Sequence, residues 1–431
     1  MRVAVVAEWY PSPADPVHGI WAHRQAVAAA AHGAEVRVLA LRRPVPPLTL
    51  ARGLARVPPD LRALRRWARG ARAALAPERR DGVEVHPVAW LGPPRPISYG
   101  SWGWWMAPPL ARALDRLRRE WPFELLHAHC LAPAGHAAGI WAARRPGVAF
   151  AVSAHGPDMI HLPRRAAGRH ACVSALRRAD VVLANSGWAQ RRCRELGGES
   201  VAVEVVHLGA DLIAEPAAGA SPRARRDSEL TLVTVAHLQA RKNHEIVLRA
   251  LARLDPGRRP RYLVIGDGER RGALERLTSE LGLDRRVSFL GQLPNDEAVA
   301  RVAGCDLFVM PGVQEPFGVA FVEAMAAGVP AIGARGEGGP EDIAAAGEGM
   351  LLVDAGDVEG LARELERLTA DSESLRALGE AARATATAHF TWGRCGERTV
   401  AVYRRAIDRA VTRRGAQALS RRPPATQRDD Q

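Results

Sequence analysis

Hydrophobic positions along the chain fall in short unbroken runs, separated by longer stretches of helical period. Residues 2–7, RVAVVA, read as a buried strand. They are followed by a loop over Glu8–Pro13, Gly19-Ile20-Trp21, an alanine-rich helix ending at His32-Gly33, and a strand over Glu35–Leu39. Unbroken apolar runs suit parallel strands covered on both faces, and this strand-loop-helix-strand order opens a Rossmann-like unit. Further strands are expected at 124–129, 148–153, 181–186 and 203–207, with helices around 111–119 and from Pro133. Between about Ile213 and Glu229 the pattern gives way to proline, alanine, glycine and charge, the composition of a linker. The alternation then restarts, with strands at 230–236, 262–265, 287–290, 307–310, 331–332 and 351–353. The fold class expected is α/β, with two doubly wound parallel-sheet domains over 1–212 and 230–390, joined by a linker at 213–229. A last helix over 391–412 precedes an Arg/Pro/Gln/Asp-rich tail, 413–431, expected to be disordered.

One stretch departs from this regular alternation. MPGVQEPFGVAFVEAMAAGVP, residues 310–330, turns through Pro311-Gly312 and enters a helix near Phe317-Gly318 that ends at Gly328 and Pro330. Glu315 precedes the helix. Glu323 lies inside it, among Val319, Ala320, Phe321, Val322, Ala324, Met325, Ala326 and Ala327. A helix apolar on every side is buried, so Glu323 needs a partner. Hydroxyl groups of a ligand would serve, and so would an arginine or a backbone amide of the core; both readings stay open at this point.

Length and composition narrow the picture. A chain of 431 residues is too long for one ordinary core, and 47% hydrophobic with 25% charged residues is the composition of a folded protein. No apolar run approaches the roughly 20 residues that span a bilayer, and the N-terminus lacks a secretory signal pattern, so a cytoplasmic protein is expected. The cysteines, at 130, 172, 193, 305 and 395, show no metal-ligand spacing, which argues against structural zinc or a disulfide framework. A net charge of +13 admits nucleic acid, anionic lipid or a phosphate-bearing substrate as partner. Lys242 is the sole lysine in a chain otherwise charged by arginine.

Three further groups of residues carry chemistry. Arg62, Arg65, Arg66, Arg69 and Arg72 recur at near-helical spacing beside Leu61, Leu64, Trp67 and Ala71, a basic amphipathic segment that suits anionic headgroups or a solvated helix face. Trp102, Trp104 and Trp105 sit in a Gly/Ser/Pro setting ahead of the helix at 111–119, where they could stack on sugar, form an interface or fill core. At strand ends, His155-Gly156 follows the strand at 148–153, and His237, Arg241 and Lys242 ring the loop after 230–236. Ligands of doubly wound sheets bind at such carboxyl ends. The three cations could clamp a diphosphate, the helix start near Gly318 offers free N–H groups, and Glu315 and Glu323 can accept hydrogen bonds from sugar hydroxyls. No D-x-D occurs, so no metal and no cofactor is expected.

Glu315 and Glu323, with seven residues between them and Pro316-Phe317-Gly318 inside, resemble the E-x7-E motif of the retaining GT-B glycosyltransferases of family 4. Other elements match in the same order: Gly19, His155-Gly156-Pro157-Asp158, Leu208-Gly209-Ala210-Asp211, the Lys242 loop, Ile265-Gly266-Asp267-Gly268, Phe289-Leu290-Gly291 and Gly338-Gly339-Pro340-Glu341. The resemblance implies two Rossmann-like domains facing a central cleft, with a nucleotide-sugar bound by the C-terminal one. Lys242 would neutralise its diphosphate, Glu323 would hold the ribose, and Glu315 with the amides of Phe317 and Gly318 would address the transferred sugar. His155 would contact that sugar from the other domain, and Gly19 would let the N-terminal loop approach the phosphates. His237, Arg241, Gly266, Leu290 and Pro316 complete the donor-binding set.

The same resemblance implies metal-independent transfer with retention of configuration, cleft closure on the donor, and a last helix crossing back to the N-terminal domain. A glycan or lipid-linked acceptor is expected, in cell-surface polysaccharide or glycolipid synthesis, with peripheral attachment to an anionic membrane surface. Two departures stand out. His237 occupies a position where the family usually has arginine, which leaves phosphate binding to Lys242 and Arg241 or makes it sensitive to pH. Leu208 stands where asparagine is common. Two other functions fit parts of the sequence: a related GT-B sugar epimerase, and a basic nucleic-acid-binding protein. For the latter the chain has charge without a reading motif, so nucleic acid is not an expected partner.

Overall fold

The computed structural model describes residues 1–13, 15–45, 61–212 and 230–420. The linker expected at 213–229 lies outside the described residues, as does the part of the expected tail beyond 420. The chain forms two compact units. The first comprises Met1–Ala184, Arg192–Glu204 and the chain from Gly396; the second comprises Asn185–Arg191 and Val205–Cys395. The chain passes between the units after Ala184, Arg191, Glu204 and Cys395.

The first unit is built on an eight-stranded sheet. Its strands are β1 (Arg2–Ala7), β2 (Glu35–Arg42), β3 (Glu78–Arg80), β4 (Val83–Ala89), β5 (Leu125–His129), β6 (Ala149–Ala154), β7 (Val181–Ala184) and β8 (Val203–Val205), in the order β3-β4-β2-β1-β5-β6-β7-β8. From β4 to β7 all neighbours are parallel. The apolar runs are buried as their composition requires, with Val3 to Ala7 wholly inaccessible. β3 and β4 were not foreseen. They form an antiparallel hairpin on the sheet edge whose turn, Asp81-Gly82, takes positive φ at both residues. Two such residues match the strand twist, and an Asp-Gly pair is the sequence signal for them.

Helices cover this sheet by apolar stripes. The helix Trp102–Glu120 buries Trp102, Met106, Leu110, Leu114 and Leu117, a spacing of three to four residues. The tryptophans expected in a loop thus sit on the first turn of a helix, and only Trp102 of the three is core. The last helix, Trp392–Ser420, runs eight residues past the expected start of the tail. Val402, Tyr403, Ala406 and Ala410 are its buried stripe, and Thr399 accepts a 2.9 Å hydrogen bond from Gln25.

The second unit carries six strands: β9 (Thr231–Val235), β10 (Arg261–Ile265), β11 (Val287–Gly291), β12 (Leu307–Met310), β13 (Ala331–Ala334) and β14 (Met350–Val353). All pair in parallel, in the order β11-β10-β9-β12-β13-β14. Leu232, Leu248, Leu251, Tyr262, Val309, Ile332, Leu361 and Leu365 form its core. The helix Val358–Ala370 adds Leu361, Leu365 and Leu368 to that core and starts where Asp357 accepts a hydrogen bond from the Gly360 amide.

Both sheets are doubly wound. In the first unit the chain steps from β1 toward β2 on one side and returns to β5 on the other; in the second it does the same at β9 and β12. The loops after those strands lie at the strands' carboxyl ends, where such sheets bind ligands.

Candidate functional site

In the second unit the two loops at the switch point are built against each other. After β9 the chain passes His237 and a turn at Ala240–Lys242, then takes a left-handed conformation at Asn243, φ 55°, before the helix His244–Arg253. After β12 it runs through Pro311–Gly318. Asn243 donates from its side-chain amide to the Pro311 carbonyl at 2.8 Å, and the Val313 amide donates to Arg241 at 2.7 Å.

These bonds bring Lys242 and Glu315 together. Both are buried, and the Lys242 ammonium donates directly to the Glu315 carboxylate. Arg241 adds a second cation 3.7 Å from the same carboxylate and donates to the Gln314 carbonyl at 3.3 Å. His237 is exposed at the lip of the loop. The expected split, with Lys242 for phosphate and Glu315 for sugar, thus rests on two groups in direct contact.

Glu315 is also fixed by its backbone. Its amide donates to the Glu337 carboxylate at 2.9 Å, and its carbonyl accepts from the Gly339 amide at 3.2 Å. Pro316 and Phe317 are buried beside it. The Phe317 ring stacks on His207 at 5.7 Å, and His207 in turn meets Asp342 at 2.9 Å. Gly318 takes φ 81° and starts the helix Val319–Ala326, whose first-turn amides open at this end of the sheet.

The reading of Glu323 as a buried charge needs correction. Val319, Ala320, Glu323 and Ala327 are only partly covered and recur at helical spacing, so the helix has one half-exposed stripe, and Glu323 lies on it. The buried carboxylate of the motif is Glu315. Alanine can face either way, and this hid the stripe.

Gly19 and Gly266 are also constrained by the chain itself. Gly266, at φ 134°, has the Ala236 carbonyl oxygen 2.0 Å from where a Cβ would stand, and Gly19, at φ 77°, has the Trp9 carbonyl carbon at 2.2 Å. Both are glycine because the chain's own neighbouring loop passes there. Leu290, half-buried near the end of β11, lies beside the loop that Gly266 anchors through its amide bond to Gly291, 2.8 Å.

In the first unit His155 follows β6. Register places His129 opposite Ser153, so His127, His129, Ser153 and His155 share one face of the sheet. His129 Nδ1 and His155 Nε2 share a hydrogen bond of 3.0 Å with their rings stacked, and Trp21 meets His155 edge-on at 5.8 Å. His127 lies deeper and bonds both Tyr403 and Ser153 at 2.8 Å. Burial pushes His155 down to about 4 and His127 to about 3, and holds His129 well below the ordinary range. All three rings are neutral at pH 7. Asp158 is the post of this loop, accepting from the amides of Leu131, His155 and Gly156.

Residues 18–209 match the family described as glycosyl transferase 4-like domain, and residues 221–385 match glycosyl transferases group 1. The 2-deoxystreptamine glucosyltransferase of Streptomyces kanamyceticus is 32% identical over 285 residues, 62% of this chain and 73% of that protein. D-inositol 3-phosphate glycosyltransferase 1 of Catenulispora acidiphila is 30% identical over 378 residues, 79% of this chain and 86% of that protein. The chain belongs to the group 1 glycosyltransferases.

Its fold is that of the GT-B enzymes. Sucrose-phosphate synthase from Thermosynechococcus elongatus superposes with a TM-score of 0.73 at 20% identity, covering 94% of this chain and 98% of that one. Anabaena HepE in complex with UDP gives 0.66 at 18% identity, covering 93% and 99%. The lipopolysaccharide core biosynthesis glycosyltransferase LpsE of Rhizobium meliloti is 31% identical over a shorter match, 51% of this chain and 62% of its own length.

Sequence reasoning missed Glu8 and the pair His127 and His129 in this glycosyltransferase. Glu8 closes β1 at the switch point, where it accepts a 3.1 Å hydrogen bond from Tyr99; burial pushes its carboxyl up to about 7 against the pull of Arg95. The available signals were an acidic residue directly after an apolar strand, and two histidines spaced by two at a strand end. Among the described residues no group of three or more His, Cys, Asp or Glu side chains converges as a set of metal ligands.

Proposed function

We propose that this glycosyltransferase moves a sugar, with retention and without a metal, from a nucleotide-sugar to a glycan or lipid-linked acceptor. The observation that carries the reading is the buried contact of Lys242 with Glu315 beside the helix start at Gly318. An ammonium has three protons to donate, so Lys242 can hold a β-phosphate while still bonded to Glu315. Glu315 keeps lone pairs for hydroxyl groups of the sugar. The helix start and Arg241 add positive potential for the diphosphate, and Glu323, half-exposed one to two turns along, is set to accept from the ribose.

In the reaction the acceptor hydroxyl forms a bond to the anomeric carbon on the face from which the diphosphate leaves. The bond from that carbon to the phosphate oxygen breaks, and the hydroxyl proton passes to the departing oxygen. Cations and helix N–H groups aimed at the leaving group stabilise the charge that develops there. In the first unit His155, neutral and held by His129, brings no charge to the end of β6.

A membrane-proximal place in cell-surface polysaccharide or glycolipid synthesis is supported by the helix Leu61–Ala74. It exposes Arg62, Arg65, Arg66, Arg69 and Arg72, and half-buries Leu64, Trp67 and Ala71. No helix among the described residues is long and apolar enough to cross a membrane.

The test is a thermal-shift screen of the full chain against UDP-, GDP- and ADP-sugars with EDTA present. A ligand at about 100 times its dissociation constant stabilises by about 2.7 kcal/mol. One nucleotide class should raise Tm in the wild type and fail in Lys242→Ala. If none raises Tm, or if Lys242→Ala responds like the wild type, the reading falls.

A further inference from the structure

Large apolar side chains exposed to water are few among the described residues, and three of them stand together. Leu91 is 66% exposed, Trp104 54% and Trp105 51%. The place where a Cβ on Gly92 would stand is 3.4 Å from the Trp105 Cβ, so Leu91-Gly92 and Trp105 adjoin. Trp104 rests its ring edge-on against the buried His136 at 4.9 Å and still shows half its surface. Trp102 on the same turn is 4% exposed and supplies the core contact, so packing does not call for the other two indoles. The outward face of the helix then continues through Arg112, Arg116 and Arg119, which are exposed or half-exposed and have no ion pair among the described residues. One surface therefore runs from two indoles and a leucine to three unpaired guanidinium groups.

Exposing two adjacent indoles to water is unfavourable, and a patch of this kind marks a contact site. Indole rings settle at the headgroup level of a bilayer, with apolar body inward and N–H outward, and arginines next to them gain from anionic headgroups. The charge points to one occupant. We propose that the face made by Leu91, Trp104, Trp105, Arg112, Arg116 and Arg119 docks on an anionic phospholipid surface. The inference rests on the reading that this enzyme works at a membrane, and adds a second surface to the arginine helix Leu61–Ala74. The two contacts differ in kind: the arginine helix attracts by charge, while the indole face inserts.

The experiment is cosedimentation of the full chain with vesicles of phosphatidylcholine alone and of an equal mixture with phosphatidylglycerol. Wild type should bind the mixed vesicles and leave the neutral ones largely unbound. Leu91→Ser with Trp105→Ser keeps the Trp104–His136 contact and should fold with an unchanged Tm. Its partition onto mixed vesicles should fall at least about tenfold, while its nucleotide-induced thermal shift stays that of the wild type. Trp104→Phe with Trp105→Phe should still bind, but lose the fluorescence quenching that brominated phospholipid produces in the wild type.

Unchanged binding of the serine variant, with binding lost when Arg62, Arg65, Arg66, Arg69 and Arg72 become glutamine, would overturn the docking face and leave the membrane reading intact. Absence of binding by the wild type to either vesicle would overturn both. Equal binding to neutral vesicles would refute the anionic surface. Loss of self-association in the serine variant, with no vesicle binding by the wild type, would make the face a protein interface instead.

Discussion

Lys242 and Glu315 show why a buried ion pair in an enzyme is weak evidence for stability and good evidence for use. Taking both charges out of water costs several kcal/mol each, and their attraction roughly returns it, whereas removing one partner leaves an uncompensated buried charge. Lys242→Met should therefore destabilise by about 3 kcal/mol in urea unfolding. Glu315→Gln should cost less, because the amide oxygen still accepts from the ammonium. The double variant should return to within about 1 kcal/mol of wild type, and all three should lose transfer. Additive losses in the double variant would mean that the two groups are not coupled. Glu323 gives the contrast. Its stripe is half-exposed, so Glu323→Gln should move stability by no more than about 0.5 kcal/mol while weakening nucleotide affinity in the thermal-shift titration.

At the scale of elements the working parts are loops at strand ends, and their precision comes from backbone packed on backbone. Gly266 is the sharpest case. A Cβ there would stand 2.0 Å from the Ala236 carbonyl oxygen, at a φ of 134° that other residues rarely adopt. Gly266→Ala should thus push the 236–243 loop, with Lys242 on it, off its place. The expected result is a loss of at least about 2 kcal/mol in stability together with lost nucleotide response; a variant that folds and binds normally would show that the loop spacing is slack. The buried strands of this architecture were legible because apolar runs of four to six residues can be little else, and the cationic loop was legible because Lys242 is the chain's only lysine. The hairpin of β3 and β4 was not, since Glu78-Arg79-Arg80 has no apolar period and edge strands need none. Glu8 was missed for a different reason. Its raised carboxyl comes from burial beside Tyr99 and Arg95, residues 87 or more positions away that only the sheet brings near.

For the molecule as a whole, the buried histidines dominate its response to acid. Burial lowers His127 to about 3 and His136, His155 and His244 to about 4, and holds His129 well below the usual range. A group whose folded pKa is depressed contributes stability above its unfolded pKa, near 6.5, and loses that stability as pH falls toward the folded value. Each such ring removes about 1.4 kcal/mol per pH unit below about 6.5, because the unfolded chain takes up a proton that the folded one refuses. Three carboxyls act in the opposite sense. Glu8 is raised to about 7, and Asp158 and Asp180 are raised from the usual range; their folded forms bind protons first, so each stabilises as pH falls. Five histidine protons against at most three carboxyl protons leave a net loss, and Tm should fall steadily from pH 6.5 to 4.5. Ring spectra provide the independent check. Of the fourteen histidines, these five should stay neutral at pH 5.5 in nitrogen-detected NMR of the folded protein. Protonation of His127 or His155 at that pH without unfolding would mean that water reaches the β5–β6 face.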